Sequence, residues 1–306
     1  MIRFSWSKML FLLLSSTLSF LSCTSSLDDT PVINNSELHE VTVTLMGINF
    51  TLEPTRASDA TPSEAGITHI ALKVFDSDGA EAASITQTSS VSEDDFNNLK
   101  VQLPAGTYTF VAVAHSATKA DVPCATVTSP TEATLPEGIV PTLYTRVQTV
   151  TISNSNNQSV LVDMGKRVNA TLHFTSTDIV PEDVAQMNVE INPSGTSVRE
   201  SAPAKFNPST GSVIGDRMYG RKLPFSVGKQ LDASFNILLP ADSYFYTVFV
   251  SALDKDKNTI ANYTRTFENV PFQKAFTTNA NGTYFRYVTT SSLMFDLSTE
   301  TLDFDL

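Results

Sequence analysis

Histidines and clustered carboxylates are the side chains from which a metal site could be built, and this 306-residue chain contains both. The four histidines are scattered along the chain, at His39, His69, His115 and His173. No two of them have the spacing of a metal-binding pair, so we expect each to be a core or surface histidine. The stretch Asp254-x-Asp256-x-Asn258 begins like a calcium loop, but Thr259 replaces the required glycine and Arg265 the closing carboxylate. A charged hairpin turn is therefore predicted there, and no metal or other cofactor is expected.

The sequence also lacks the motifs of the common enzyme classes. It contains no Gly-x-Ser-x-Gly, no glycine-rich phosphate loop and no Cys/His constellation, so we expect no enzyme activity. The net charge is −12, and residues 1–22 carry two basic residues and no acidic ones, so the remainder carries −14. Because no basic stripe is present to displace counterions from phosphate, nucleic acid is excluded as a partner.

A lipidation site is the strongest chemical signal in the chain. Residues 1–22 have the pattern of a signal peptide, with Arg3 and Lys8 before an apolar stretch that is too interrupted to span a bilayer. The segment ends in Leu21-Ser22-Cys23, a small residue directly before cysteine, which is typical of a bacterial lipobox. An ordinary signal peptide that contains a cysteine is the alternative. The polar tether over residues 23–40 favours the lipoprotein, so acyl chains such as palmitate on Cys23 are expected to hold the chain at a membrane.

The second cysteine of the chain is Cys124. Because Cys23 is expected to be acylated, we expect no disulfide within the chain. Cys124 lies between apolar neighbours and is predicted to be a small buried hydrophobic residue.

The rest of the chain is organised as a repeat of β-strands. Leu103-Pro104-Ala105-Gly106-Thr107-Tyr108 predicts the end of one strand, a tight turn and a second strand whose two faces are both apolar and therefore expected to be buried. Leu239-Pro240-Ala241-Asp242-Ser243-Tyr244 repeats this hairpin. Two alternating strands precede each hairpin in the same order, at 41–45 and 70–74 and again at 168–174 and 187–191. This recurrence predicts two copies of one β domain.

We therefore predict an all-β chain with two β-sandwich domains, an N-terminal one at 41–164 and a C-terminal one at 165–306. The C-terminal domain contains a long polar stretch at 192–222, and an insertion of that length is either functional or poorly ordered.

The first predicted strand and the loop behind it form a candidate processing site. The strand covers residues 41–52, with Gly47 as a bulge or bend. A loop rich in proline and serine follows, and it contains the single arginine Arg56 directly before Ala57. Exposed loops of this composition are preferred sites of proteolytic cleavage.

These features resemble the fimbrillin family, the pilus subunits and anchor proteins of Bacteroides-type bacteria. The resemblance is carried by the lipobox at Cys23, the strand before Thr55-Arg56-Ala57, the Leu-Pro-Ala-Gly-Thr-Tyr hairpin and the domain opening Gly165-Lys166-Arg167-Val168. It implies two tandem transthyretin-like β-sandwich domains. It also implies a surface-exposed lipoprotein of the cell outer membrane that functions in a fimbrium and in cell adhesion.

The resemblance implies an assembly mechanism as well. In the family, a trypsin-like protease cuts behind the first strand, and a strand from another subunit fills the groove that remains. Arg56–Ala57 is then the candidate scissile bond and 41–52 the displaced strand. Leu302, Phe304 and Leu306, which alternate on one face of the tail, form a candidate donor strand. The implied partners are other fimbrial subunits, by strand exchange, and the outer membrane, through the lipid.

Several points stay open from the sequence. The chain could be a stalk, tip or anchor protein, and a host or bacterial surface ligand is neither indicated nor excluded. A monomeric surface lipoprotein that binds glycans is the alternative function. Such sites usually contain tryptophan, but Trp6 lies in the predicted signal peptide, so the alternative would depend on tyrosines. The candidates are Tyr219, Tyr263, Tyr284 and Tyr287.

Overall fold

The chain folds into β-strands because its sequence consists largely of short segments of alternating apolar and polar residues, separated by turns. The computed structural model describes residues 37–48, 60–91, 95–117, 121–136, 138–193, 203–286 and 294–298. Within these ranges the chain forms nineteen β-strands and one short 3-10 helix, Ala261–Tyr263. The strands are, in order, β1 (Leu38–Met46), β2 (His69–Phe75), β3 (Glu81–Thr88), β4 (Leu99–Pro104), β5 (Gly106–His115), β6 (Thr126–Ser129), β7 (Glu132–Thr134), β8 (Leu143–Ile152), β9 (Gln158–Asp163), β10 (Ala170–Ile179), β11 (Gln186–Ile191), β12 (Lys205–Asn207), β13 (Ser212–Val213), β14 (Tyr219–Leu223), β15 (Gln230–Ile237), β16 (Ser243–Leu253), β17 (Arg265–Gln273), β18 (Thr277–Gly282) and β19 (Met294–Ser298).

Two sheets form the first sandwich. One has the strand order β4-β1-β9 and the other β3-β2-β5-β8. Their facing side chains, among them Val43, Leu99, Val162 and Phe110, are 0–1% exposed and form one hydrophobic cluster. The other face of β5 is buried as well, since Val113 is 0% exposed, so the expected burial on both faces is confirmed.

The second sandwich repeats this topology, with β19 as one additional strand. Its sheets have the orders β15-β10-β18-β19 and β14-β11-β16-β17. In the first sandwich β1 is antiparallel to β4 and parallel to β9, and in the second β10 is antiparallel to β15 and parallel to β18. The two Leu-Pro-Ala hairpins are the β4–β5 and β15–β16 connections in these equivalent places. The all-β fold with two tandem sandwiches is thus confirmed.

A fifth sheet, of order β13-β12-β7-β6, joins segments from both halves of the chain. β7 pairs with β12 through Lys205↔Thr134 and Phe206↔Ala133. Phe206 is 0% exposed and packs in the same cluster as Ala133. The described part of the polar insertion predicted at 192–222 contains β12, β13 and most of β14, so this part is ordered and its function stays a prediction. Strands of two or three residues are too short to show an alternating period in the sequence.

The first strand differs in its bounds from the expectation. β1 begins at Leu38, inside the predicted tether, and ends at Met46. It ends there because Gly47 adopts a left-handed φ of +67°. Glycine is needed at this position because a Cβ would collide with the Asp163 side chain. Residues 49–52 of the predicted strand lie outside the described residues.

The domain boundary between Met164 and Gly165 stays a prediction. Among the described residues, no helix is long and apolar enough to cross a membrane.

Candidate functional site

β1 occupies the middle of its sheet, between two strands that do not pair with each other. On one side its register with β4 runs from Leu38↔Pro104 to Val43↔Leu99. On the other side its register with β9 runs from Val41↔Gln158 to Met46↔Asp163. Removal of β1 would therefore expose one backbone edge of β4 and one of β9, with a groove between them.

The inward face of β1 fills this groove with four side chains. Val41 and Val43 are 0% exposed, Leu45 is 1% exposed, and His39 is 2% exposed at the start of the strand. The His39 ring places Nδ1 3.1 Å from Asn156 Oδ1, which lies in the turn between β8 and β9. Its Nε2 is buried and has no hydrogen-bond partner among the described residues. The inward pattern is thus one polar residue followed by three apolar ones.

The backbone of β1 forms hydrogen bonds with a side chain beyond the end of its pairing with β4. The Leu45 N–H donates to Asn97 Oδ1 and the Asn97 side-chain amide donates to the Leu45 carbonyl, each over 2.8 Å. Asn97 itself has a left-handed φ of 73°. The sequence does not indicate this contact, because the two residues are 52 positions apart. Its one signal is the presence of an asparagine, a residue that tolerates the left-handed conformation.

His69 and His115, which the sequence keeps far apart, face each other across β2 and β5. Their rings are stacked with centroids 5.0 Å apart. His69 Nε2 donates to the Val122 carbonyl over 2.7 Å, while Ala125 N–H donates to His115 Nε2 over 3.2 Å. Burial lowers the pKa of His115 to about 4. His115 is therefore a neutral, hydrogen-bonded residue of the core, and His69 is buried beside it, in keeping with the expected core histidines. Among the described residues no group of three His, Cys, Asp or Glu side chains could hold a metal.

The calcium-like stretch after β16 is a charged turn, as predicted. Asp254 Oδ1 accepts hydrogen bonds from the Asp256 and Asn258 N–H groups, over 2.9 Å and 2.8 Å. These bonds lower the pKa of the Asp254 carboxyl, with that from Asn258 the largest cause. The Asp254 carboxylate therefore stabilises the turn.

With this geometry in place, comparison with known proteins decides the family. Residues 30–220 match the family described as fimbrillin-A associated anchor proteins Mfa1 and Mfa2, which is more than half of the chain. The chain belongs to this family. It is therefore a surface protein of the fimbrial type, which agrees with the family inferred from the sequence. No curated protein matches the chain.

Two solved structures of Bacteroides thetaiotaomicron proteins have similar folds, and a Porphyromonas gingivalis protein gives a weaker match. A candidate adhesin from Bacteroides thetaiotaomicron has a TM-score of 0.54 at 12% identity, over 87% of this chain and 98% of that one. A candidate polysaccharide-binding protein from the same organism has a TM-score of 0.50 at 16% identity, over 72% of this chain and 78% of that one. The fimbrial anchor protein Mfa2 from Porphyromonas gingivalis has a TM-score of 0.46 at 12% identity, over 80% of this chain and 90% of that one.

Most residues predicted to act in export and assembly of this fimbrial protein lie outside the described residues. These are Cys23, Arg56, Ala57, Leu302, Phe304 and Leu306. The described part of the tail is β19, which pairs with β18 from Thr277↔Ser298 to Asn281↔Met294. The Phe295 ring contacts that of Phe267 with centroids 5.2 Å apart.

Of the tyrosines proposed for glycan binding, those that the structure describes do not form a surface platform. Tyr219 is 5% exposed and Tyr284 is 2% exposed, and burial raises the pKa of both phenols. Tyr263 is half-buried, and Tyr287 lies outside the described residues. Two of the four candidates are thus core residues. The Tyr219 hydroxyl donates a hydrogen bond of 2.7 Å to the Leu238 carbonyl.

Proposed function

We propose that this fimbrial protein is exported as a lipoprotein through Cys23 and is assembled at the outer-membrane surface by strand addition at the β1 groove. The observation that carries the proposal is the central position of β1 between β4 and β9. An edge strand could leave without opening its sheet. Loss of a central strand instead leaves two unpaired edges beside an apolar groove.

The free energy of apolar burial favours the binding of another strand in the vacated groove. Burial of a Val or Leu side chain contributes roughly 1.5–3 kcal/mol, and β1 buries three of them, Val41, Val43 and Leu45. An incoming strand from another subunit would restore this burial and both backbone ladders together. The vacated groove is therefore a binding site for an extended strand with alternating apolar side chains.

Cleavage at Arg56–Ala57 would separate β1 and the lipid from the rest of the chain. The cut chain would then be a polymerising subunit, released from the membrane and open to a donor strand such as Leu302, Phe304 and Leu306 of another copy. An uncut chain would keep its lipid and its own β1, as an anchor must. Both roles use the same fold, and Arg56 decides between them.

N-terminal sequencing of assembled surface material tests the proposal. A polymerising subunit should start at Ala57, and Arg56→Ala should prevent both cutting and assembly with little effect on folding. Arg146→Ala, at an exposed position on β8, is the matched control and should change neither. A chain that starts at lipidated Cys23 within an assembled fimbria would exclude both cleavage and strand addition at the β1 groove, and it would assign the anchor role. A chain found outside fimbriae, without lipid, would contradict the proposal itself.

A further inference from the structure

We propose that residues 164–169, which connect the two sandwiches, form a closed joint, and that Arg167 and Asn169 keep this joint inaccessible to proteases that cut after lysine or arginine. The closure of the joint stands on the geometry alone. Its consequence for processing, that a cut behind β1 leaves the two sandwiches connected, rests on the proposed function.

The joint contains a sequence that such a protease would recognise. Lys166 and Arg167 are adjacent, and segments between domains are ordinarily exposed and flexible. Lys166 is exposed, whereas Arg167 is 8% exposed and Asn169 is 0% exposed. The Arg167 side chain therefore cannot enter the specificity pocket of a protease. The bond after Lys166 can be cut only when the backbone around Arg167 leaves the fold.

Arg167 connects the joint to the second sandwich. Its Nε and Nη2 both donate to the Ala275 carbonyl, over 3.2 Å and 3.1 Å, in the turn between β17 and β18. Its Nη1 donates to Thr171 Oγ1 on β10 over 2.9 Å. The planar guanidinium thus bonds to two elements at once, which a shorter side chain with fewer donors cannot do.

Asn169 connects the joint to the first sandwich. Its Oδ1 accepts from the Leu143 N–H over 3.0 Å, and the Leu143 carbonyl accepts from the Val168 N–H over 2.8 Å. Both backbone polar groups of Leu143, the first residue of β8, therefore bond to the joint. The Asn169 carbonyl accepts in turn from the Ala275 N–H over 3.0 Å. Because the joint is bonded on both sides, opening it would break these hydrogen bonds together.

A second connection limits the movement of one sandwich against the other. β7 of the first half pairs with β12 of the second half. The buried Arg217 guanidinium donates to the Gly138 carbonyl of the first half over 3.0 Å and to the Pro203 carbonyl of the second half over 3.3 Å. Because the two halves are held together at two places, we expect the joint to stay closed as long as the sandwiches are folded.

Limited trypsin digestion of the full chain tests the closure, because the chain contains its own reference bond. Arg146 lies within β8 and pairs with Ala112 of β5, so the bond after Arg146 is cut only when that sheet opens. If the joint is closed, fragments that begin at Arg167 or Val168 should appear no sooner than the cut after Arg146. Joint fragments that appear well ahead of the Arg146 cut in the unchanged protein would overturn the proposal.

Arg167→Gln tests the role of the guanidinium, since the shorter side chain cannot reach both Ala275 and Thr171. The cut after Lys166 should become about tenfold faster or more relative to the cut after Arg146, as expected when charge-assisted hydrogen bonds are lost. Addition of Lys166→Gln to this variant should remove the new cut and so identify the bond. Arg286→Gln, at an exposed arginine, is the matched control and should leave the joint uncut.

Asn169→Ala tests the connection to the first sandwich and serves if Arg167→Gln fails to fold. It removes the acceptor of the Leu143 N–H and should also speed cutting of the joint relative to the Arg146 bond. An unchanged ratio of the two cuts in both variants would overturn the role of Arg167 and Asn169.

The digestion gives a result that does not depend on processing in cells, because trypsin acts on the purified chain directly. A joint that resists trypsin, in a chain that is not cut at Arg56 in fimbriae, would contradict the proposed processing and support the closed joint. A joint that opens ahead of the Arg146 bond, in a chain that is cut at Arg56, would support the processing and overturn the closed joint.

Discussion

At the scale of single residues, His115 couples the stability of the first sandwich to pH. Its ring is 1% exposed, Nδ1 lies 2.8 Å from the Ser116 carbonyl, and Nε2 accepts from Ala125. This arrangement uses the neutral ring, which is the form that burial favours and the reason its pKa falls to about 4. Protonation would place a charge beside His69 in the core.

The free energy of unfolding should therefore fall as the pH drops from about 6.5 to about 4. In this window the unfolded chain binds a proton at His115 and the folded chain does not, and the shift corresponds to a loss on the order of 3 kcal/mol. His115→Asn should be less stable at pH 7 by about 1 kcal/mol, because the bond to Ala125 is lost, but should show a flatter pH profile. Urea unfolding at a series of pH values from 7 to 4 measures the free energy of unfolding of the variant and of the unchanged protein. An unchanged slope in the variant would contradict this account.

The two cysteines allow a matched test of the proposed lipidation. Cys23→Ala should move the protein out of the membrane fraction, because no acyl chains remain to partition into the bilayer. Cys124→Ala is the control and should leave membrane association unchanged, since Cys124 is half-buried and its Sγ lies 3.4 Å from the Gln87 carbonyl. Membrane partition that survives Cys23→Ala, with an unacylated N-terminus, would rule out the lipoprotein.

At the scale of elements, β1 should be more sensitive to a charge on its inward face than on its outward face. Val43→Asp places a carboxylate at a position that is 0% exposed, and we expect a loss of about 3 kcal/mol or more. Thr44→Asp changes the neighbouring residue, which is partly exposed on the other face, and should cost about 1 kcal/mol or less. Chemical denaturation of the two variants gives the comparison. Equal losses would mean that the groove is not a closed apolar site.

The same strands show what the sequence can and cannot predict. β1, β10 and β11 each present several alternating positions, and burial of one face is enough to define them. β7 and β12 have three residues each, and their pairing depends on the burial of Phe206 far along the chain. The contacts that shape the groove are longer in range still, since His39 and Asn156 lie 117 residues apart. No local period encodes such contacts.

At the scale of the whole molecule, the repeat gives both halves of the chain the same arrangement of strands. The repeated topology gives each half a central strand, β1 or β10, that is antiparallel to one neighbour and parallel to the other. In the described part, Asp178 lies near the end of β10, and its carboxylate accepts hydrogen bonds from the N–H groups of Tyr284, Phe285 and Arg286. The second half therefore ties its central strand to a later segment of the chain through one carboxylate.

The last prediction separates a fimbrial protein from a glycan-binding monomer. Because Tyr219 and Tyr284 lie in the core, an aromatic glycan platform would have to use exposed rings such as Tyr244 and Phe245, which are 44% and 64% exposed. We expect cross-linked surface fractions to contain the chain in complexes with other fimbrial subunits, and Tyr244→Ala and Phe245→Ala to leave those complexes intact. Val43→Asp should deplete them, because it changes the groove and not the aromatic surface. Glycan-array binding that Tyr244→Ala or Phe245→Ala abolishes, from a chain found without partner subunits, would replace strand addition with carbohydrate recognition as the function of this surface.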